Sequence, residues 1–261
     1  MDSEIEKINV LRLTEEGRES IEDIVVREFP ITIILNNEEL VTMLCSPKNL
    51  DYLAVGFLYS EGLLESRDEI RNVLVDEKHG IVRVTTKEEK DLSNEFLFKR
   101  MITSGCGRGA SFYHATDAED REQIKSNTKI STGNVLALMK EFQQKSEVFR
   151  ETGGVHSAAL CDTNTLLVFM EDIGRHNAID KIFGKCMMEN VSTEDRIVVT
   201  SGRVSSEILL KVSRRNIPII ISKSAPTNLG VRLASETGIT LLGFARGKRV
   251  NAYTNDWRIT D

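Results

Sequence analysis

The stretch Thr103-Ser104-Gly105-Cys106-Gly107-Arg108-Gly109-Ala110-Ser111 carries the one side chain whose setting points to nucleophilic chemistry. Gly105, Gly107 and Gly109 permit positive φ and leave backbone N–H groups open, and Arg108 adds a positive charge beside the sulfur. Both effects favour a thiolate over a thiol, whose unperturbed pKa is ~8.5. Glycine flanks would also let the sulfur meet two partners in turn. A cysteine buried in a tight turn is the plainer alternative, but the stretch lacks the apolar neighbours that burial requires. The other three cysteines read as core. Cys186 shares a helical apolar face with Ile179, Ile182, Phe183 and Met187, and Cys45 and Cys161 border strand-like runs. No CxxC or CxxH pair suggests structural zinc, so no permanently bound metal is expected.

A second set of residues asks for an anion. Three segments read as strand-to-helix turns: Glu171-Asp172-Ile173-Gly174-Arg175-His176-Asn177, Ser201-Gly202-Arg203 and Lys223-Ser224-Ala225-Pro226. In an open α/β sheet such turns form the ligand crevice. Arg175, Arg203 and Lys223 stand at helix N-termini, where the macrodipole prefers negative charge, so a phosphate between them and the backbone N–H groups would remove the conflict. Any one of the three alone reads as a solvated surface cation; three together favour a phosphate-bearing ligand. Phe244-Ala245-Arg246-Gly247-Lys248-Arg249 ends a strand with three cations, either a nucleotide grip or an ordinary basic hairpin. Thr152-Gly153-Gly154-Val155-His156 either brings backbone close to a ligand or makes a tight turn. His176 and Asp180 lie one helical turn apart, so Asp180 could orient the imidazole, with a satisfied structural histidine as the alternative.

These residues need a scaffold, and the hydrophobic pattern supplies one. Residues 1–20 are polar with weak periodicity and read as a loosely ordered terminus. Residues 21–112 read as a small α+β unit: strands on either side of Pro30 and after Asn36-Asn37, a helix from Pro47 to Ser60 stopped by Gly62, two more strands around Gly80, and then the Cys106 stretch. Charged residues 113–130 read as a linker. From 131 to 261 the pattern is a helix on Val135, Leu138, Met139 and Phe142, two strands, then alternation: helix 175–189, strand 196–200, helix 203–215, strand 217–222, helix 226–237, strand 239–245 and a closing strand near 250–253. Alternation of this kind predicts an α/β domain with a largely parallel sheet.

The chain has 261 residues, 40% hydrophobic, enough to fill a real core. Its 34 basic and 40 acidic side chains give a net charge of −6, which argues against general binding to nucleic acid or anionic lipid. No apolar run approaches the ~18 residues that would span a bilayer, so no membrane association and a cytoplasmic location are expected.

Taken together, the ordered segments resemble the FdhD family of formate dehydrogenase accessory sulfurtransferases. The resemblance runs from Glu28-Phe29-Pro30-Ile31-Thr32 through Leu53-Ala54-Val55-Gly56-Phe57-Leu58, Ser104-Gly105-Cys106-Gly107, Thr152 to His156, Asp172 to Ala178, Thr200 to Arg203, Ser222 to Thr227 and Gly243 to Arg246. It implies that Cys106 takes persulfide sulfur from a cysteine desulfurase and passes it to a molybdenum bis(molybdopterin guanine dinucleotide) cofactor, bound as substrate, before the cofactor enters formate dehydrogenase. It implies that Phe244 to Arg249 hold that cofactor, that the larger domain is a cytidine-deaminase-like three-layer unit, and that the protein is a homodimer. The deaminase HxE signature is missing, since His156 is followed by Ser157-Ala158, so deamination is not expected. Many family members have a second cysteine where this chain has Gly109. The rival reading is a noncatalytic cofactor chaperone; a nucleotide hydrolase ranks last, because no GxxxxGK[ST] loop occurs.

Overall fold

The computed structural model describes residues 4–88, 100–102, 110–112 and 123–261. The chain opens with a hairpin, β1 (Ile5–Thr14) and β2 (Gly17–Val26), paired antiparallel along its whole length. This corrects the expectation of a loosely ordered terminus. Both faces of the hairpin meet solvent, leaving Ile8, Leu11 and Leu13 exposed, so no inward and outward alternation marks its strands in the sequence. Next come β3 (Phe29–Leu35), β4 (Glu38–Cys45), α1 (Leu50–Ser60), β5 (Ile70–Asp76) and β6 (Ile81–Thr86), which make a four-stranded sheet of order β4-β3-β6-β5 beneath α1. Gly62 (φ 79°) and Gly80 (φ 65°) make turns that most L residues resist.

A two-stranded pair, β7 (Arg100–Ile102) and β8 (Ala110–Phe112), precedes the second unit. That unit contains β9 (Ile130–Ser131), α2 (Thr132–Lys145), α3 (Glu147–Thr152), β10 (His156–Cys161), β11 (Leu166–Asp172), α4 (Arg175–Met188), β12 (Ile197–Thr200), α5 (Ser206–Ser213), β13 (Ile219–Ser222), α6 (Asn228–Glu236), β14 (Thr240–Arg246), β15 (Arg249–Thr254) and β16 (Ile259–Thr260). Its six-stranded sheet has the order β11-β10-β12-β13-β14-β15. Val198, Ile220 and Leu241 face α4, α5 and α6, whereas Val199, Ile219, Ile221 and Leu242 face α2. Strands buried on both faces explain the unbroken apolar run Ile219-Ile220-Ile221.

The sheet is mixed rather than largely parallel. Only β12 with β13 and β13 with β14 pair parallel; β10 with β11, β10 with β12 and β14 with β15 are antiparallel. The βαβ alternation is confined to residues 197–246, and hairpins close both flanks. The described end of the supposed linker is also packed down. Ile124 is buried beside α6, its N–H donates to Thr237 O (3.0 Å), and Arg258, 1% exposed, donates to Ser126 O. Residues 113–122 lie outside the described residues.

The two units are joined where α1 crosses α4. A Cβ on Gly56 would fall on the carbonyl oxygen of Asp180, and one on Gly184 on that of Tyr52. The backbones therefore touch, and Met187 of α4 belongs to the core of the first unit. Gly56→Ala should push the helices apart and cost about 3 kcal/mol or more in urea unfolding. A change below about 0.5 kcal/mol, the size of an ordinary surface substitution, would show that this contact is not tight.

Candidate functional site at the carboxyl edge of the sheet

β11, β12, β13 and β14 all run one way, so their carboxyl ends share one edge of the sheet, and the antiparallel β10 begins there at His156. Hydroxyls stitch the turns of this edge together. Thr200 Oγ1 accepts from Gly202 N (3.1 Å), Ser222 Oγ donates to Gly202 O (2.7 Å) and accepts from Ser224 N (2.9 Å), and Lys223 N donates to Thr200 O (3.0 Å). α6 is capped by Thr227 Oγ1, but α4 and α5 start with no side-chain cap, at Gly174 and Ser205. Their first N–H groups are the kind of donors an anion satisfies.

Several of the expected site residues meet here. Arg175, the first residue of α4, lies against Gly202, where an added Cβ would come within 2.8 Å of Arg175 Cβ. Arg246 Nε donates to Lys223 O (2.8 Å) and its guanidinium lies 5.7 Å from the Phe244 ring. The Lys223 ammonium stands 5.4 Å from the Phe149 ring of α3. Phe244 has φ 51°, a left-handed conformation costly for a bulky residue, where β14 bulges between Gly243 and Arg246. Gly243 is required beside it, because a Cβ would meet Tyr253 at 2.8 Å and Pro226 at 3.2 Å.

Other expected residues are placed differently. Ala245 is fully buried in the core beneath α2, so its side chain does not reach the edge. Gly247 (φ 58°) makes the β14–β15 turn, and Lys248 and Arg249 are exposed around that turn. Arg203 is exposed three residues before α5. The helix does not begin at 203, because Val204 N donates to Ala225 O and Thr227 N to Val204 O, an isolated parallel bridge that keeps the segment extended. The helix from 226 likewise begins at Asn228. His176 does not pair with Asp180. Its Nε2 lies 3.0 Å from Glu207 Oε2 on α5, while Asp180 turns into the core, 2.7 Å from Lys211 Nζ and 2.6 Å from Ser60 Oγ. Burial alone would depress the Lys211 ammonium, but Asp180 and Glu61 carry it above its ordinary value. Cys106 lies outside the described residues.

Three features of this edge escape a reading by spacing. The first is Glu207, whose own burial works against ionisation but whose bond to His176 and proximity to Arg175 hold it below the usual carboxylate range. An acidic residue in the first turn of α5 is its only sequence signal. The second is Asp172, fully buried, which accepts from Gly174 N (2.8 Å) and Asn177 Nδ2 (2.9 Å) and pairs with Lys181 at 2.7 Å. The third is the environment of His156, whose Nδ1 lies 3.2 Å from Ser201 Oγ, an oxygen that also accepts from Ser157 N (3.0 Å).

Burial first, then the charges of Arg175 and His176, hold His156 below the ordinary imidazole value of 6.5, with Asp172 opposing. A histidine depressed in the folded state lets the unfolded chain take up the proton first as pH falls. Its contribution is therefore full above the unfolded value and declines as pH drops from about 6.5 towards the lower folded value. NMR titration should place the His156 midpoint below 6.5, and His156→Gln should flatten the loss of stability between about pH 7 and pH 5. A midpoint above that value would contradict the assigned environment.

The FdhD/NarQ family model matches residues 26–260. The sulfur carrier protein FdhD of Bacillus subtilis (strain 168) is 46% identical over 241 residues, 92% of each chain. Its namesake from Bacillus pumilus (strain SAFR-032) is 42% identical over 262 residues, covering the whole of both. A crystal structure from Desulfotalea psychrophila, described as that of a formate dehydrogenase accessory protein, superposes with a TM-score of 0.84 at 26% identity, covering 99% of this chain and 100% of that one. Match to the family model over nearly the whole length, and full-length relatives above 40% identity, establish that the chain belongs to the FdhD/NarQ family.

Proposed function

We propose that the protein is a sulfur carrier serving formate dehydrogenase, as the names of its relatives indicate for them. In this reading the Cys106 thiolate attacks the terminal sulfur of a persulfide on a cysteine desulfurase. The S–S bond of the donor breaks, the donor cysteine leaves as thiolate, and Cys106 becomes the persulfide. The sulfur then goes to a molybdenum bis(molybdopterin guanine dinucleotide) cofactor, the cargo, held at the carboxyl edge of the sheet. The carrier acts in the cytoplasm as a homodimer.

The observation that carries the cofactor half of the proposal is the convergence of Arg175, Lys223, Arg246 and the uncapped starts of α4 and α5 on one edge. Phosphate oxygens would accept from the first N–H groups of α4 and α5 and be neutralised by Arg175, Lys223 and Arg246. His156 and Ser201 add neutral donors, and the Phe244 and Phe149 rings offer faces for a base. A single cysteine suffices to carry a persulfide, so Gly109 in place of a second cysteine leaves the relay without an internal disulfide.

Cys106→Ser separates the carrier from a noncatalytic chaperone, because a hydroxyl can neither attack the donor persulfide nor hold the sulfur at neutral pH. After incubation with a desulfurase and cysteine, mass spectrometry should show the parent gaining one sulfur atom on the Cys106 peptide and the variant gaining none. The variant should bind GDP as the parent does yet leave formate dehydrogenase inactive in cells that lack the parent. Full dehydrogenase activity with Cys106→Ser would replace the carrier by the chaperone.

A further inference from the structure

The turn that presents Arg175 and His176 is held from outside its own unit. Ser46, 1% exposed, follows β4 in the small N-terminal sheet. Its N–H donates to Asp172 Oδ2 (3.0 Å), its Oγ accepts from Ile173 N (3.1 Å), and its carbonyl accepts from Lys181 Nζ (3.3 Å). Two residues earlier, Leu44 O accepts from Asn177 Nδ2 (2.9 Å). Residues 44–46 thus grip β11, the turn and α4 at four points, and they lie more than 120 positions from the residues they grip.

Ile173 N donates to Ser46 Oγ. It precedes the helix, so it cannot bond within α4, and Asp172 Oδ1 is already used by Gly174 and Asn177. Removing the Ser46 hydroxyl takes away the acceptor of a partly buried N–H beside a buried carboxylate, so the turn loses one of its four ties to residues 44–46. The residues next in line are Arg175, packed on Gly202, and His176, facing Glu207.

We propose that Ser46 is a positioning residue, which fixes the 173–177 turn and through Arg175 and His176 sets the affinity of the sheet edge for a guanine nucleotide. The inference rests on the ligand site proposed above and adds a control point in the unit that precedes it in the chain. Binding energy at the edge then depends on how the two units are seated, because Ser46 belongs to one and Arg175 to the other.

A thermodynamic cycle with a local probe tests it. Calorimetry with GDP and hydrogen exchange of the Ile173 amide are measured for the parent, Ser46→Ala, Arg175→Ala, Arg246→Ala and the two doubles. Ser46→Ala should speed Ile173 exchange and weaken GDP about tenfold, the scale of one lost buried hydrogen bond. In the Arg175→Ala background the same change should cost under about twofold, and in the Arg246→Ala background about tenfold again, because residues linked through one backbone shift couple whereas independent ones add. Asn177→Ala, which releases the turn from the α4 side, should give the same pattern should Ser46→Ala fold poorly. Unchanged Ile173 exchange, or an equal loss of GDP in all three backgrounds, overturns the positioning role. Indifference of the parent site to both Arg175→Ala and Arg246→Ala sinks the ligand reading itself, and Ile173 exchange then still shows whether Ser46 holds the turn.

Discussion

The ion pair of Asp172 and Lys181, 2.7 Å apart and fully buried, is the constraint around which the rest is arranged. Taking two charges out of water costs several kcal/mol per ion, and their attraction repays this only where the remaining lone pairs and protons are satisfied. Here they are. Asp172 accepts from Ser46 N, Gly174 N and Asn177 Nδ2, and Lys181 donates to the carbonyls of Ser46 and Glu171. Such a pair adds little net stability compared with an apolar replacement, but it tolerates one geometry only. That geometry joins the end of β11, the first two turns of α4 and the end of β4.

A second charged node sits one residue away with the opposite sign. Asp180 turns to the other side of α4, where Lys211 of α5 and Ser60 of α1 receive it. Beside this second node the α1 and α4 backbones touch at Gly56 and Gly184. α4 is thereby fixed against β11, α5 and α1 at once, and its uncapped start is aimed at the edge where α5 also begins uncapped. Preorganised donors of this kind bind an anion without the cost of ordering them, which is what rigid support adds to a ligand site.

Most of the architecture was legible because burial imposes a period. The stripe Val135, Leu138, Met139 and Phe142 marks α2, and the runs at 197–200 and 219–222 mark strands buried on both faces. Where burial imposes none, the pattern fails: β1 and the first half of β2 are largely exposed, and α3 is six residues long with no buried side chain. Strand direction was not legible either, since β10 and β11 read as ordinary strands whichever way they pair. Arg175 was visible as a residue out of place at a helix start and Arg246 as a cation ending a strand, whereas Glu207, Ser46 and Ser201 were not, because each acts on a residue at least 31 positions away and no local spacing announces a long-range contact. The exposed pair of Lys7 and Glu22 adds little, as surface ion pairs do.

We propose that the carboxyl edge of the six-stranded sheet receives the phosphates of a guanine nucleotide. A crystal structure of the protein with GDP tests it most directly. Phosphate density is expected against the first turns of α4 and α5, within hydrogen-bond distance of Arg175 or Arg246, with the base near Phe244. A nucleotide found instead in the groove between α2 and the β14–β15 turn, or bound with no contact to either helix start, would contradict it.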